Sequence, residues 1–362
     1  MSLINQLFRF ATGVLFIFSG LVKLNDPVGT QIKLEEYFEV FSTDFASFFH
    51  YLIPLALPLA VVLCVAEVIL GVALLLQYRM RLTMWALLLL ISFFTFLTFY
   101  SAYFNKVTDC GCFGDAIPLD PWESFTKDVV LLIMIVVLFV QRNRLRPALP
   151  SRAAQVVVGG ATVLSLALAL YAINYLPPID FRPYKIGNNL PQLMESSAPL
   201  QYQYVMVKNG KEEVFDQYPT DTTYKYKDMI LINPEALPKI TDYQVWNDQG
   251  DFTQETFQGK KLLIVVQNLE HTDVESYTKI NQLVGGLPAD VKPMVITSVN
   301  PEAFEIFRHE VQLALPYYFA DATVLKAMIR SNPGLMLLED GVVRGKWHYH
   351  TIPSPDELTA QL

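Results

Sequence analysis

Five apolar stretches dominate the first half of the chain, at residues 4–24, 56–78, 82–104, roughly 125–140 and 153–176. Four of them run 21 to 24 residues, which at about 1.5 Å rise per residue covers the ~30 Å hydrocarbon layer of a bilayer. The pattern predicts five transmembrane helices. The fourth has a strictly apolar run of only 12 residues, 129–140, so it reaches across by borrowing the turns at 122–128. After Leu176, Pro177-Pro178 ends the last of these helices and the pattern changes. Residues 200–233 alternate polar and apolar around Asn209-Gly210, a hairpin signal. From about residue 240 strands and helices alternate. Strands are expected at 262–267, 293–299 and 317–319, and helices at 274–284, 301–311 and 322–329. A hairpin over 335–347 turning at Asp340-Gly341 and a helix from Pro355 complete an α/β domain.

Charge divides at the same place. Residues 1–177 hold 11 Lys and Arg against 11 Asp and Glu, so the net charge of −8 belongs entirely to residues 178–362. This partition suits a membrane domain joined to an acidic domain outside the bilayer, and it argues against nucleic acid, whose phosphates call for clustered Lys and Arg. The expected organisation is a four-helix transmembrane domain at 1–145, a fifth helix at 146–177, a β-rich segment at 178–239 and an α/β domain at 240–362. Membrane lipid is thus one partner.

Orientation follows from the short loops. Arg79 and Arg81 lie between the second and third spans, and Arg142, Arg144, Arg146 and Arg152 between the fourth and fifth, which assigns both loops to the cytoplasm. The N-terminus is then cytoplasmic, and the loops at 25–54 and 105–122 face outward with everything after the fifth span. The first stretch reads as a retained helix, because Lys23-Leu24-Asn25-Asp26-Pro27 is a poor cleavage site for an exported leader.

The chain has three cysteines. Cys64 lies mid-span, where a thiol is ordinarily a small packing group. Cys110 and Cys112 stand in the run Asp109-Cys110-Gly111-Cys112-Phe113-Gly114-Asp115 of an outward loop. One intervening glycine allows a small, strained and readily reduced disulfide ring. The pair fits thiol/disulfide exchange or a structural bridge. Metal binding is the weaker reading, since no further ligand lies nearby. The flanking carboxylates raise thiol pKa values, whereas Lys106 and Lys127 would lower them if close.

Residues 9–24, from Arg9-Phe10-Ala11-Thr12-Gly13 to Phe18-Ser19-Gly20-Leu21-Val22-Lys23-Leu24, resemble the opening helix of DoxX-like membrane proteins, and Ala66-Glu67-Val68-Ile69-Leu70-Gly71 resembles their second span. The loop at 109–115 with the segment 122–128 is similar to the related methylamine-utilisation MauE branch. The resemblance covers about residues 1–145. It implies a four-helix membrane bundle, with thiol chemistry similar to that suspected of vitamin K epoxide reductase-type proteins. It further implies either sulfur oxidation linked to quinone or disulfide formation during maturation of an exported enzyme.

Glu67 is twelfth in a 23-residue span. A carboxylate so deep costs about 2.5 kcal/mol or more unless protonated, paired or wetted, so it reads either as a proton-handling group or as a bundle tie through Ser92 or Thr95. Lys23, Asp26, Lys127 and Asp128 are expected at one height near the outer interface, as a polar pocket beneath Cys110 and Cys112 or as snorkelling interfacial charges. Phe93, Phe94, Phe96, Phe99 and Tyr100 offer an apolar wall for a quinone, or pack against lipid.

The α/β domain resembles a thioredoxin-like domain of the exported, membrane-tethered kind, with Pro333 at the position that is usually cis and faces the active cysteines. The cysteine pair of that family belongs just after Gln267, where this chain has Asn268-Leu269-Glu270-His271-Thr272, and no cysteine follows Cys112. The domain is therefore expected to bind an exported protein near Pro333 rather than exchange thiols itself. His271 lacks a partner, and His348 with His350 lacks a third ligand, so no metal site is expected. Two functions compete: a redox component passing electrons between an exported thiol and membrane quinone through Cys110 and Cys112, with Lys23, Asp26, Glu67, Lys127 and Asp128 in support, and an accessory or scaffold subunit whose cysteines are structural.

Overall fold

The computed structural model describes residues 3–107, 111, 113–144 and 149–362. Cys110 and Cys112 lie outside the described residues, as does Arg146. The chain forms two compact units, Met1–Arg182 and Pro183–Leu362.

Six helices build the first unit: α1 (Leu3–Asn25), α2 (Pro27–Asp44), α3 (Ala56–Leu76), α4 (Met80–Phe104), α5 (Pro121–Val140) and α6 (Ser151–Tyr175). A 3-10 stretch, Ser47–Leu55, runs directly into α3. Among the described residues, four segments are long and apolar enough to cross a membrane: Leu3–Asn25, Ser47–Leu76, Met80–Phe104 and Ser151–Tyr175. Helix α5 carries Glu123, Lys127 and Asp128 in its first half and packs against α4 and α1. It starts with a capping box in which Asp120 receives the Glu123 N–H and the Glu123 carboxylate receives the Asp120 N–H.

Helix α2 occupies a segment expected to be loop. Its start is specified locally: the Asp26 side chain accepts the Gly29 N–H at 2.9 Å, and Pro27 stands at the first helical position. Its buried residues Leu34, Tyr37, Phe38 and Phe41 recur at helical spacing, so this helix lies on the bundle by one face.

Helices α1 and α3 cross at glycines. A methyl group on Gly71 would fall 2.7 Å from the Gly13 carbonyl oxygen, and one on Gly20 would fall 2.7 Å from Val68 and 3.0 Å from the Cys64 carbonyl oxygen. In lipid, such small-residue contacts let backbones approach closely enough for dispersion and polar contacts to hold helices together. Phe16, Leu74, Met84, Leu87, Ile91, Leu131, Ile135 and Leu138 fill the adjoining apolar core.

The second unit begins with a short helix, α7 (Leu190–Leu193), and a three-stranded sheet ordered β2-β1-β3, with β1 (Tyr202–Lys208), β2 (Lys211–Phe215) and β3 (Lys225–Leu231). The Asn209-Gly210 turn takes positive φ at both residues, as the tight hairpin requires. There follow β4 (Trp246–Asn247), β5 (Gly250–Asp251), β6 (Lys260–Val266), α8 (Ser276–Gly285), β7 (Val291–Thr297), α9 (Pro301–Glu310), β8 (Tyr317–Phe319), α10 (Ala322–Met328), β9 (Gly334–Glu339), β10 (Val342–His348) and α11 (Pro355–Thr359). They form a seven-stranded sheet ordered β10-β9-β6-β7-β8-β4-β5. Strand β6 pairs parallel with β7 and antiparallel with β9. Its five consecutive buried residues, Leu262 to Val266, mark a strand covered on both faces. Tyr277, Ile280 and Phe304 from α8 and α9 cover one of them.

Candidate functional site

The close crossing of α1 and α3 sets Ser19 and Lys23, one turn apart on α1, against Glu67 on α3. Lys23 Nζ lies 2.6 Å from Glu67 Oε1, and the Ser19 hydroxyl donates to Oε2 at 2.7 Å. Glu67 is 2% exposed and Lys23 8%, so both charges have left water. Each carboxylate oxygen has a donor, which is the condition for a buried ion pair to be tolerated. The Lys23 ammonium also lies 4.7 Å from the centroid of the Phe94 ring on α4, a cation–π contact. The carboxylate is thus tied to α1 rather than to α4: the Thr95 hydroxyl donates within its own helix to the Ile91 carbonyl at 2.7 Å, and Ser92 is exposed.

A second pair occupies α5. Asp128, 1% exposed, accepts from the Thr98 hydroxyl of α4 at 3.1 Å and from the Lys127 ammonium. Lys127 lies 5.3 Å from the centroid of the Phe113 ring. One turn before Asp128, the buried Ser124 hydroxyl has no hydrogen-bond partner among the described residues. Of the four residues expected at one height, Lys23 pairs with Glu67, Lys127 pairs with Asp128, and the Asp26 side chain accepts the Gly29 N–H at the start of α2.

The described flanks of the cysteine loop rest on this end of the bundle. A methyl group on Gly111, whose φ is +61°, would lie 3.4 Å from Lys33 Cγ on α2. The Phe113 ring is 5.6 Å from that of Phe18 on α1. Lys106 is engaged elsewhere. It lies 2.6 Å from Asp44 Oδ1 at the end of α2, and the same carboxylate accepts from the Tyr100 hydroxyl. The bond from Lys106, followed by that from Tyr100, holds the Asp44 carboxyl below the usual carboxylate range. Cys64 is fully buried, with Sγ 3.9 Å from the Thr30 hydroxyl.

The five aromatic residues of α4 expected to form one wall do not share one surface. Phe93, Phe96 and Phe99 are 39–46% exposed, whereas Tyr100 is 3% exposed and Phe94 sits beneath Lys23. Ser19, Lys33 and Thr98 are site residues that sequence reasoning did not single out, and Phe94 was read only as part of an apolar wall. For Ser19 a signal existed: its spacing of four from Lys23 puts both on one helix face.

In the second unit, the Asn332–Pro333 peptide is cis and Pro333 is buried. Gln267 and Asn332 lock the surrounding loops. The Gln267 N–H donates to Asn332 Oδ1 at 3.0 Å, Gln267 Nε2 donates to the Ile329 carbonyl at 2.7 Å, and Asn332 Nδ2 donates to the Asn268 carbonyl at 2.8 Å. His271 is exposed at the adjoining turn, where its N–H donates to Asn268 Oδ1. His348 and His350 rings are 4.9 Å apart, and among the described residues no group of three or more His, Cys, Asp or Glu is placed to hold a metal ion.

His348 Nδ1 accepts the His350 N–H at 3.2 Å. Burial, reinforced by His350, pushes the His348 imidazole down to about 4, with Asp273 acting the other way. Its folded pKa is below its unfolded value, so between about pH 6.5 and 4 the unfolded chain binds a proton that the folded one refuses. Stability is lost as pH falls through that window, by at most about 1.4 kcal/mol per pH unit. Amide exchange of β9 in the full chain, corrected for intrinsic rates, is expected to accelerate from pH 6.5 to 5, and His348→Gln to remove most of the acceleration. Equal acceleration in both proteins refutes the assignment.

No curated protein and no solved structure matches the chain. Residues 1–141, the helices from α1 through α5, match the family model of the methylamine utilisation protein MauE; this part of the chain is similar to that family, and its apolar helices mark a multi-pass membrane segment.

Proposed function

We propose that this protein is a membrane thiol/disulfide redox component, related to DoxX-like proteins, in which Cys110 and Cys112 pass electrons between an exported protein and a membrane quinone. The observation that carries this reading is the pair of lysine–carboxylate couples with buried carboxylates, Lys23–Glu67 and Lys127–Asp128, in the bundle on which Gly111 and Phe113 rest. Buried ionisable groups are costly in a membrane and are kept where protons or substrates are handled. Lys33 beside Gly111 and Lys127 beside Phe113 also supply the electropositive surroundings that favour thiolate.

The reaction balances in two steps. A dithiol of the exported partner reduces a Cys110–Cys112 disulfide to two thiols and itself becomes a disulfide. The two thiols then return to the disulfide as a quinone takes up two electrons and two protons and becomes a quinol. The lysine–carboxylate couples relay those protons. The quinone reaches the bundle from lipid along α4, where Phe93, Phe96 and Phe99 are exposed.

The arginine-rich turns favour an orientation with the N-terminus in the cytoplasm and the second unit outside an inner membrane. That unit has a thioredoxin-like fold without the cysteine pair, and it docks the exported partner beside the loop that ends at Pro333. Because Pro333 is buried, the partner meets its less buried neighbours, Asn332 and Tyr349. The amide lock of Gln267 and Asn332 favours a second reading, an accessory subunit that only binds, with Cys110 and Cys112 as a structural bridge. Alkylation of the two thiols in intact membranes separates them. Under the redox reading the pair becomes reduced on quinone depletion, and Cys112→Ser abolishes partner oxidation at normal protein abundance. A pair oxidised in both conditions, with Cys112→Ser lowering only abundance, defeats it.

A further inference from the structure

The bundle carries a second cluster of charge, where α3 turns into α4. Four guanidinium groups meet there with different occupations. Arg9 donates to the Leu75 carbonyl at the end of α3 at 3.1 Å, and Arg142 donates to the Phe139 carbonyl at the end of α5 at 2.9 Å. Both therefore cap helix C-termini, whose last carbonyls otherwise lack donors. Arg79 and Arg81 are exposed, and among the described residues neither has a carboxylate partner; Arg79 lies 5.5 Å from the Tyr78 ring. Together with Met80, Leu82 and Trp85 they line an open groove of about 560 Å³. Leu82 is 64% exposed and Trp85 49%, and the Trp85 ring packs edge-on against Phe139 at 4.7 Å.

The combination is specific in kind. Two unpaired guanidinium groups stand at the rim, apolar side chains form the wall, and an indole sits where a helix leaves the hydrocarbon. We infer that this groove binds an anionic phospholipid, with Arg79 and Arg81 on the phosphate and Leu82 and Trp85 along the upper acyl chain. Charge complementarity selects the occupant: guanidinium holds phosphate through bidentate hydrogen bonds, a zwitterionic headgroup brings its own cation, and an apolar wall suits a chain rather than a free ion. Arginines near a membrane surface each contribute about a fivefold preference for anionic lipid, so the two together predict a preference of roughly 25-fold.

The test uses the full chain in nanodiscs, with Trp122, Trp246 and Trp347 changed to Phe so that Trp85 is the only indole. Brominated phosphatidylglycerol and brominated phosphatidylcholine are titrated separately into a phosphatidylcholine background. Half-maximal quenching of Trp85 is expected at a mole fraction roughly 25-fold lower for the anionic lipid. Arg79→Gln/Arg81→Gln is expected to merge the two curves, whereas Arg152→Gln at the start of α6 keeps them apart. Coincident curves in the parent protein overturn the proposal, whether or not the double variant folds. So does an equal loss of preference in Arg152→Gln, which would mean that only general surface charge is felt. The readout does not involve the cysteines, so it stands or falls separately from the redox reading.

Discussion

Lys23→Met is expected to destabilise the helical unit by about 3–5 kcal/mol, because it strands a carboxylate that is 2% exposed with only the Ser19 hydroxyl for company. Glu67→Met takes the carboxylate from the Lys23 ammonium, which keeps its contact with the Phe94 ring, and should also be destabilising. The double variant Lys23→Met/Glu67→Met removes both charges and fills their volume with apolar atoms, so most of the loss should return. Thermal unfolding in detergent, followed through α-helical circular dichroism, measures all four corners of the cycle. A double variant as unstable as the sum of the singles contradicts the pairing. If the couple handles protons as proposed, the double variant will fold and yet fail to oxidise the exported partner. That outcome separates its chemistry from its contribution to packing.

Gly71→Leu is the other large effect. The new side chain must start 2.7 Å from the Gly13 carbonyl oxygen and 3.0 Å from the Ile17 N–H, and backbone cannot step aside as a flexible side chain would. Overpacking costs about 1–3 kcal/mol in a well-filled core and more where no rotamer relieves it, so the upper end or beyond is expected here. Gly159→Leu on α6 meets nothing within 4 Å and serves as the matched control. Equal melting temperatures for the two variants would show that α1 and α3 do not cross at these glycines.

Much of this architecture was legible in the residues. The Asp340-Gly341 and Asn209-Gly210 turns, and the strands and helices after residue 260, appear within a residue or two of where periodicity put them, since each is bounded by its own turn or cap. Helix α2 was missed because its mean hydropathy is low and its burying face is narrow. The cap at Asp26-Pro27 and the 34, 37, 38, 41 spacing did carry the signal. Glu67 stands out in the sequence as a charge within an apolar span, but its partner was sought on α4. Chain order says nothing about which helices cross at glycines, and that crossing selects α1. Lys106 looked available to the cysteine loop in sequence, whereas the end of α2, absent from that picture, supplies Asp44 to hold it.

Helix α4 touches both charge pairs from a single face. Phe94 lies beneath the Lys23 ammonium, and Thr98, four residues on, donates to Asp128. A slide or tilt of this one helix would uncover a cation on one side and withdraw a donor from a carboxylate on the other in the same stroke. The two couples therefore behave as gauges mounted on a common shaft, and a conformational signal in either should be mirrored in its companion.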